Sequence, residues 1–213
     1  MKTGAPRILV TGFGPFPGAP ENPTSWLVSQ LAANPPGGEG IGAFHAEELE
    51  VEYGRVGPWL SDLGGAFAPD IAIHFGLAAE ASGFRLERVA RNSHAGARPD
   101  NAGRLPPSVR ICAGPQMLAS SLPLEAISQG LATAGLPVEF SEDAGGYLCN
   151  TVFVLSRFHA CEGLRPAMSG FVHVPLLAGQ PGARAGAMTP DDLLRGARLI
   201  VAASAAAWPR RGA

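Results

Sequence analysis

The chain has 213 residues, of which 46% are hydrophobic and 16% are charged, and its formal net charge is −2. This length and apolar content suit a sizeable core, so we expect residues 1–213 to form a single domain. The sequence has no cluster of lysines and arginines. Because phosphate contacts require such a cluster, the composition argues against nucleic-acid binding.

The cysteines and the apolar runs exclude further classes. Three scattered cysteines without a CxxC pair disfavour a disulfide framework and a structural zinc site, and they fit a reducing compartment. The stretch MKTGAPRILVTGFG lacks the long apolar run of a signal peptide, and the apolar run at 199–208 is too short to cross a bilayer. We therefore expect a cytoplasmic protein without membrane contact.

Strand-like and helix-like segments alternate along the chain. The patterns predict strands at 8–12, near 44–53, and at 70–76, 84–91, 137–141 and 170–177, the last stopping at Pro175. They predict helices after Asn22-Pro23, at 57–67, at 124–135, from about Cys149 to His159, and after Thr189. The Gly-, Pro- and Arg-rich segment 92–115 is predicted to be irregular, with room for a hairpin. The alternation indicates an α/β fold, a three-layer α/β/α arrangement around a central twisted, mostly parallel (mixed) sheet.

One cysteine lies where a nucleophile would be expected. In AGGYLCNTVFVLSRFH, Cys149 follows a glycine turn and begins a predicted helix. The positive end of the helix dipole favours a thiolate there, and the free N–H groups of the first turn can hold an oxyanion. The alternative is that Cys149 is a small buried hydrophobic residue, which is the commoner role of a lone cysteine.

A nucleophilic cysteine needs a base and a group that orients the base. His173 ends a predicted buried strand and is the preferred base, whereas His74 lies mid-strand and suits a core imidazole with one hydrogen bond. His159 lies almost three turns from Cys149, and His45 and His94 are predicted at the surface. Glu87 interrupts a strand-like stretch and is one of several acids that could orient the histidine.

Four segments together resemble the pyroglutamyl peptidases of type I. They are ILVTGFGPFPGAPENPTSW, ERVARN followed by RPDNAG, SEDAGGYLCNTVFVLS, and GFVHVPLL. They stand in the family's order and span residues 8–177. The resemblance implies a phosphorylase/hydrolase-like fold and a cysteine exopeptidase that removes N-terminal pyroglutamyl residues from peptides through a thioester, without metal or organic cofactor. It further implies a homotetramer.

The same resemblance assigns roles to individual residues. It implies Cys149 as nucleophile, His173 as base and Glu87 as the residue that orients the base. It implies that the neutral lactam of the substrate enters an apolar slot. The positions that correspond to the substrate-binding slot are Phe13, Phe16, Leu77, Arg98, Tyr147 and Leu148.

Two segments depart from the family pattern. Leu77 stands where the family has glutamine, within an altered segment 76–84, and in the altered segment 96–101 Arg98 lies one place later than the family's arginine. The sequence leaves open whether Arg98 reaches the site or Ala97 marks the loss of that arginine. These departures keep two alternatives open. One is a divergent cysteine-dependent amidase for another small amide, and the other is a non-catalytic protein of the same fold that binds pyroglutamate or a peptide end.

Overall fold

The computed structural model describes residues 4–38 and 40–209. Its main-sheet strands are β1 (Arg7–Phe13), β2 (Ala43–Leu49), β3 (Ile71–Leu77), β4 (Phe84–Glu87), β7 (Val138–Ser141) and β8 (Met168–Val174), and a small ribbon holds β5 (Val89–Arg91) and β6 (Met117–Ala119). The helices are α1 (Pro23–Ala33), α2 (Tyr53–Phe67), α3 (Leu124–Thr133), α4 (Leu148–Arg157) and α5 (Pro190–Ala206).

The main sheet is mixed and mostly parallel, in the order β2-β1-β3-β8-β4-β7. Strands β2, β1, β3 and β8 are parallel, whereas β4 runs antiparallel to β8 and parallel to β7. Side chains on one face pack against α1, α3 and α5, and those on the other face pack against α2 and α4. Adjacent residues of β1 show this division, since Ile8 and Leu9 join opposite cores. The predicted three-layer α/β/α fold is confirmed.

Two helix starts follow their sequence signals. Asn22 caps α1 by accepting a hydrogen bond from the backbone N–H of Thr24, with Pro23 at the first helical position. Thr189 and Asp192 form a reciprocal capping box at the start of α5. Both caps satisfy N–H groups that have no partner inside the helix.

Two element boundaries were predicted wrongly. The second strand ends at Leu49 rather than near residue 53, and α2 begins at Tyr53 rather than residue 57. Pro58 lies inside this helix, where it removes one backbone hydrogen bond. Burial of Val56 and Leu60 in the core offsets that loss, because each fully buried aliphatic side chain stabilises the fold by about 1.5–3 kcal/mol.

The segment 84–91 is not one strand. Its first half, β4, lies in the main sheet, and the second half, β5, pairs antiparallel with β6. The break between β4 and β5 at Arg88 lets the irregular segment 92–115 leave the sheet. The side chain of Asn92 then closes that segment, accepting from the N–H groups of Ile111 and Cys112 and donating to the carbonyls of Cys112 and Pro115.

Candidate active site

Cys149 is the second residue of α4 and is partly exposed. The N-cap position is Tyr147, which makes no side-chain cap hydrogen bond with any residue that the structure describes. Helices usually begin with Ser, Thr, Asp or Asn, whose side chains bind the first N–H groups. Here the first turn keeps donors available beside the sulfur, at the positive end of the helix dipole.

Two glycines allow the sulfur to reach this position. A Cβ at Gly76 would lie 2.7 Å from Cys149 Sγ and 2.7 Å from Phe171 Cζ, so only glycine leaves room on β3 below the thiol. A Cβ at Gly146 would collide with the carbonyl oxygen of Ala95. Gly146 therefore lets the turn before α4 pack closely against the irregular segment. The need for glycine at position 76 has no local sequence signal, because it arises only from the packing of α4 across β3 and β8.

His173 and Glu87 meet through the antiparallel pairing of β8 with β4. Arg85 is the register partner of His173, and Glu87 is the partner of Phe171, two residues away on the same face. The imidazole Nδ1 lies 2.7 Å from Glu87 Oε1. His173 is 6% exposed and Glu87 is fully buried. A buried carboxylate is stable only when a charged or hydrogen-bonding partner compensates for lost hydration, and His173 supplies that partner.

The thiol of Cys149 is the other neighbour that acts on the His173 imidazole. Burial alone would lower the pKa of His173, but the charge and hydrogen bond of Cys149, followed by the hydrogen bond and charge of Glu87, raise that pKa to about 9. Since Nδ1 is used by Glu87, the other ring nitrogen, Nε2, is available to the thiol. The arrangement favours an imidazolium at neutral pH, next to the sulfur of Cys149.

A narrow pocket opens beside Cys149. All six predicted substrate-binding residues line it, namely Phe13, Phe16, Leu77, Arg98, Tyr147 and Leu148, together with Asn22 and Val51. Its volume is about 20 Å³, room for roughly one water molecule. A five-membered ring therefore requires outward movement of the less buried lining side chains. We refer to this pocket as the slot.

Asn22 and Val51 were not singled out from the sequence as slot residues. Asn22 was identified only as a helix cap, but its side-chain amide also donates to the carbonyl of Gly14. It thereby fixes the loop that follows Phe13 and carries Phe16. Val51 follows β2 and carries no polar signal, so the sequence offered no indication that it reaches the slot.

Arg98 does reach the slot. Its guanidinium carbon lies 4.4 Å from the ring centroid of Tyr147 and 5.3 Å from that of Phe16. The carbonyl of Arg98 accepts a hydrogen bond from the Tyr53 hydroxyl, and the carbonyl of Pro99 accepts one from the Tyr147 hydroxyl. The segment that departs from the family pattern is thus attached to Tyr147, which lines the slot, and to Tyr53, whose ring packs against Tyr147.

The prediction that His94 lies at the surface was wrong. His94 is 8% exposed, its Nδ1 lies 2.8 Å from the carbonyl oxygen of Ser108, and its Nε2 lies 3.0 Å from Thr151 Oγ1 on α4. Its ring also contacts Tyr53 edge-on. Because all these partners come from distant parts of the chain, no local sequence pattern could reveal the burial.

His74 is the core imidazole that its mid-strand position predicted. It is fully buried, and its Nδ1 lies 2.7 Å from Thr11 Oγ1. Burial lowers its pKa to about 3. Its Nε2 has no hydrogen-bond partner among the described residues. His74 therefore remains neutral and belongs to the structure below the site.

Comparison with known proteins assigns the chain to a family. A family model described as pyroglutamyl peptidase matches residues 6–207. The chain belongs to the pyroglutamyl peptidase family. A relative named pyrrolidone-carboxylate peptidase from Pyrococcus furiosus is 37% identical over 179 residues, which cover 82% of this chain and 83% of that protein. Pyrrolidone-carboxylate peptidase 1 from Ralstonia nicotianae is 36% identical over 202 residues, covering 92% and 91%.

Solved structures agree with this pyroglutamyl peptidase assignment. The crystal structure of a mutant pyrrolidone carboxyl peptidase from P. furiosus superposes with a TM-score of 0.82 at 32% identity, covering 95% of this chain and 100% of that one. The resemblance inferred from the four sequence segments is therefore confirmed. Among residues 4–38 and 40–209, no helix is long and apolar enough to cross a membrane.

Proposed function

We propose that this pyroglutamyl peptidase family member is a cysteine exopeptidase that removes N-terminal pyroglutamyl residues from peptides. The observation that carries the proposal is the convergence of Cys149 with the His173–Glu87 pair beside the slot. A nucleophile, a base and an orienting carboxylate in hydrogen-bonded series are the parts that acyl transfer requires. A pure binding protein has no evident need for all three.

In the first step, the Cys149 thiolate attacks the pyroglutamyl carbonyl carbon, and a C–S bond forms as the carbonyl electron pair moves to oxygen. Backbone N–H groups in the uncapped first turn of α4 are the donors for this oxyanion. Removing one such donor typically costs about 10²- to 10³-fold in rate, so an N-terminus without a side-chain cap has a direct catalytic use.

In the second step, the imidazolium of His173 gives the proton on Nε2 to the departing amine. The C–N bond breaks, the shortened peptide leaves, and a thioester remains on Cys149. His173 then removes a proton from water, which attacks the thioester and releases pyroglutamic acid and the thiolate. Glu87 keeps the imidazole oriented throughout and stabilises its positive charge.

The slot suits the pyroglutamyl group because that group carries no charge. Phe13, Leu77 and Leu148 offer apolar contact to a neutral five-membered lactam, and the aromatic rings of Phe16 and Tyr147 flank it. Desolvating a charged N-terminus in such a slot would be costly, whereas desolvating an uncharged ring is favourable. Peptides that begin with pyroglutamate are therefore the proposed partners.

We also propose a cytoplasmic homotetramer. Its support is the family resemblance, together with the presence of Cys112, Cys149 and Cys161 as free thiols, which fits a reducing compartment. Sedimentation equilibrium of the purified chain tests the assembly, and a monomer at micromolar concentration contradicts it.

The test of the activity is release of a fluorogenic amine from pyroglutamyl amide. The wild type should turn the amide over, and Cys149→Ala should lose at least about 10⁴-fold in kcat/KM, because no other group supplies the nucleophile. Cys112→Ala is the matched control and should retain the wild-type rate. Turnover that survives in Cys149→Ala would refute the mechanism.

A further inference from the structure

The slot lacks one polar side chain that the family pattern leads one to expect, because Leu77 stands at that position. Four lining residues carry a polar side chain, namely Asn22, Arg98, Tyr147 and Cys149. Cys149 has its role as nucleophile. The question is which of the other three can bind the lactam, since an apolar slot alone cannot distinguish a lactam from a ring without polar atoms.

Two of the three candidates are already engaged. The Asn22 amide donates to Gly14 O, and its oxygen accepts from the N–H and hydroxyl of Thr24. The Tyr147 hydroxyl donates to Pro99 O. The guanidinium of Arg98 shows no hydrogen bond and no carboxylate within 4.0 Å among residues 4–38 and 40–209. Apart from the second N–H of the Asn22 amide, Arg98 therefore holds the unused donors of the slot.

Among the residues that the structure describes, Arg98 forms no ion pair with Asp100, the acid nearest to it in the chain. The Asp100 carboxylate is buried and accepts hydrogen bonds from the backbone N–H groups of Tyr53, Ala102 and Arg104. Arg98 itself is exposed and is held by the rings of Tyr147 and Phe16. Such exposed cation–π contacts contribute only about 0.5–1 kcal/mol, so at small cost the guanidinium can leave these rings and turn towards a lactam ring that has entered the opened slot.

A guanidinium donates hydrogen bonds and accepts none, and it remains positively charged at any physiological pH. Two consequences follow for a group bound in the slot. A lactam carbonyl is a good acceptor for it. A protonated N-terminal amine would instead face an unneutralised positive charge in partly desolvated surroundings, which is unfavourable.

We propose that Arg98 is a specificity-determining residue with two effects. It donates to the carbonyl oxygen of the lactam ring, in place of the polar contact that Leu77 cannot make, and its charge excludes peptides with a free, protonated N-terminus. This proposal rests on the proposed pyroglutamyl peptidase function. In this proposal the positive charge at the slot serves to select the substrate. The departure from the family pattern at 96–101 thereby compensates for the departure at 76–84.

The test compares kcat/KM for three fluorogenic amides with rings of the same size. The pyroglutamyl amide has the lactam carbonyl and no charge, the prolyl amide has a protonated amine and no lactam carbonyl, and the cyclopentanecarbonyl amide has neither. Arg98→Met removes the donors and the charge but keeps an unbranched side chain. Arg98→Lys keeps the charge. Arg104→Met, in the same segment and outside the slot, is the control.

In Arg98→Met, the ratio of pyroglutamyl to cyclopentanecarbonyl turnover should fall about 10- to 100-fold, the loss expected for a charge-assisted hydrogen bond. The ratio of prolyl to cyclopentanecarbonyl turnover should rise about fivefold or more, because the repulsion is removed. Arg98→Lys should keep prolyl turnover low. Arg104→Met should change neither ratio.

Three outcomes would overturn the proposal in distinguishable ways. Equal loss on the pyroglutamyl and cyclopentanecarbonyl amides in Arg98→Met would mean that Arg98 only shapes the slot. Prolyl turnover that rises equally in Arg98→Lys would refute exclusion by charge. If the wild type itself fails to cleave the pyroglutamyl amide, the proposed function falls and Arg98's role with it, whereas either of the first two outcomes with an active wild type overturns Arg98's role alone.

Discussion

Two buried histidines on neighbouring parallel strands behave in opposite ways. His74 on β3 and His173 on β8 both lie within the sheet, but burial lowers the pKa of His74 to about 3. Burial also disfavours the charged form of His173, yet Cys149 and Glu87 raise its pKa to about 9. Within residues 4–38 and 40–209, His74 has only the hydroxyl of Thr11 as a hydrogen-bond partner. Burial therefore does not decide the protonation of these imidazoles; the charge of the partner does.

The strongest test of this comparison removes the charged partner of His173. Glu87→Gln keeps the size of the side chain and removes its charge, so kcat should fall by about 10²- to 10⁴-fold. The wild-type kcat/KM should decline as pH rises through about 9, as His173 loses its proton. In Glu87→Gln this alkaline decline should move to lower pH.

The measurement is the pH profile of pyroglutamyl amide turnover for both proteins, with circular dichroism as a control for folding. The shift of the alkaline decline separates an electrostatic role from a merely structural one, because a loosened fold lowers the rate without moving the profile. An unchanged pH profile in Glu87→Gln would contradict the claim that Glu87 raises the pKa of His173.

A second test changes the position of the sulfur relative to His173. Gly76 is the register partner of His173 and lies two residues beyond His74 on β3. In Gly76→Ala the added methyl would lie 2.7 Å from Cys149 Sγ, so the thiol must move away. We expect kcat to fall about 100-fold, since displacement of a reacting group by about 1 Å costs that much.

The matched control is Gly65→Ala in α2, where an added Cβ meets no atom within 4 Å. That variant should keep full activity and gain up to about 1 kcal/mol in free energy of unfolding. Both effects are read from kcat and from chemical denaturation. If kcat of Gly76→Ala equals that of the wild type, the position of the sulfur does not depend on the space above Gly76.

The smallest effect on activity is expected at His74. Its folded-state pKa is below the unfolded value of 6.5, so the unfolded chain binds the extra proton between pH 6.5 and about 3. The free energy of unfolding should therefore fall as pH drops through that window, and His74→Leu should remove this contribution, on the order of a few kcal/mol. Turnover at neutral pH should change less than about threefold.

His173 should change the pH dependence of the free energy of unfolding in the opposite direction. Its folded-state pKa is above 6.5, so its contribution to stability is present below pH 6.5 and is lost as pH rises to about 9. Urea denaturation of the wild type and His74→Leu at pH 4 and pH 7 measures the His74 contribution. An identical pH dependence in the two proteins would contradict the low pKa of His74.

Much of the fold could be predicted from local patterns. The buried runs of β1, β3 and β8 and the caps at Asn22 and Thr189 carry strong signals, because side-chain periodicity and helix capping depend on a few neighbouring residues. The split of 84–91 into β4 and β5 could not be predicted. It depends on pairing with β6, about 30 residues later in the chain.

The candidate site, like the fold, could be predicted from the sequence only in part. The position of Cys149 at a helix start and of His173 at a strand end followed from sequence, and the motif resemblance added Glu87 and the slot residues. The burial of His94, the need for glycine at 76 and the reach of Arg98 into the slot did not follow, because each depends on segments that meet only in the folded chain.

The sequence by itself determined the class of this protein: a mixed α/β sheet, the pyroglutamyl peptidase family, and a cysteine at the positive end of a helix. These follow from periodicity and from motifs, which are local. Only the tertiary structure decided which histidine carries charge and which donors remain free in the slot. Those properties arise from burial and from partners far apart in the chain, such as Glu87 and His173, 86 positions apart, whose interaction energy depends on distance in space rather than in sequence.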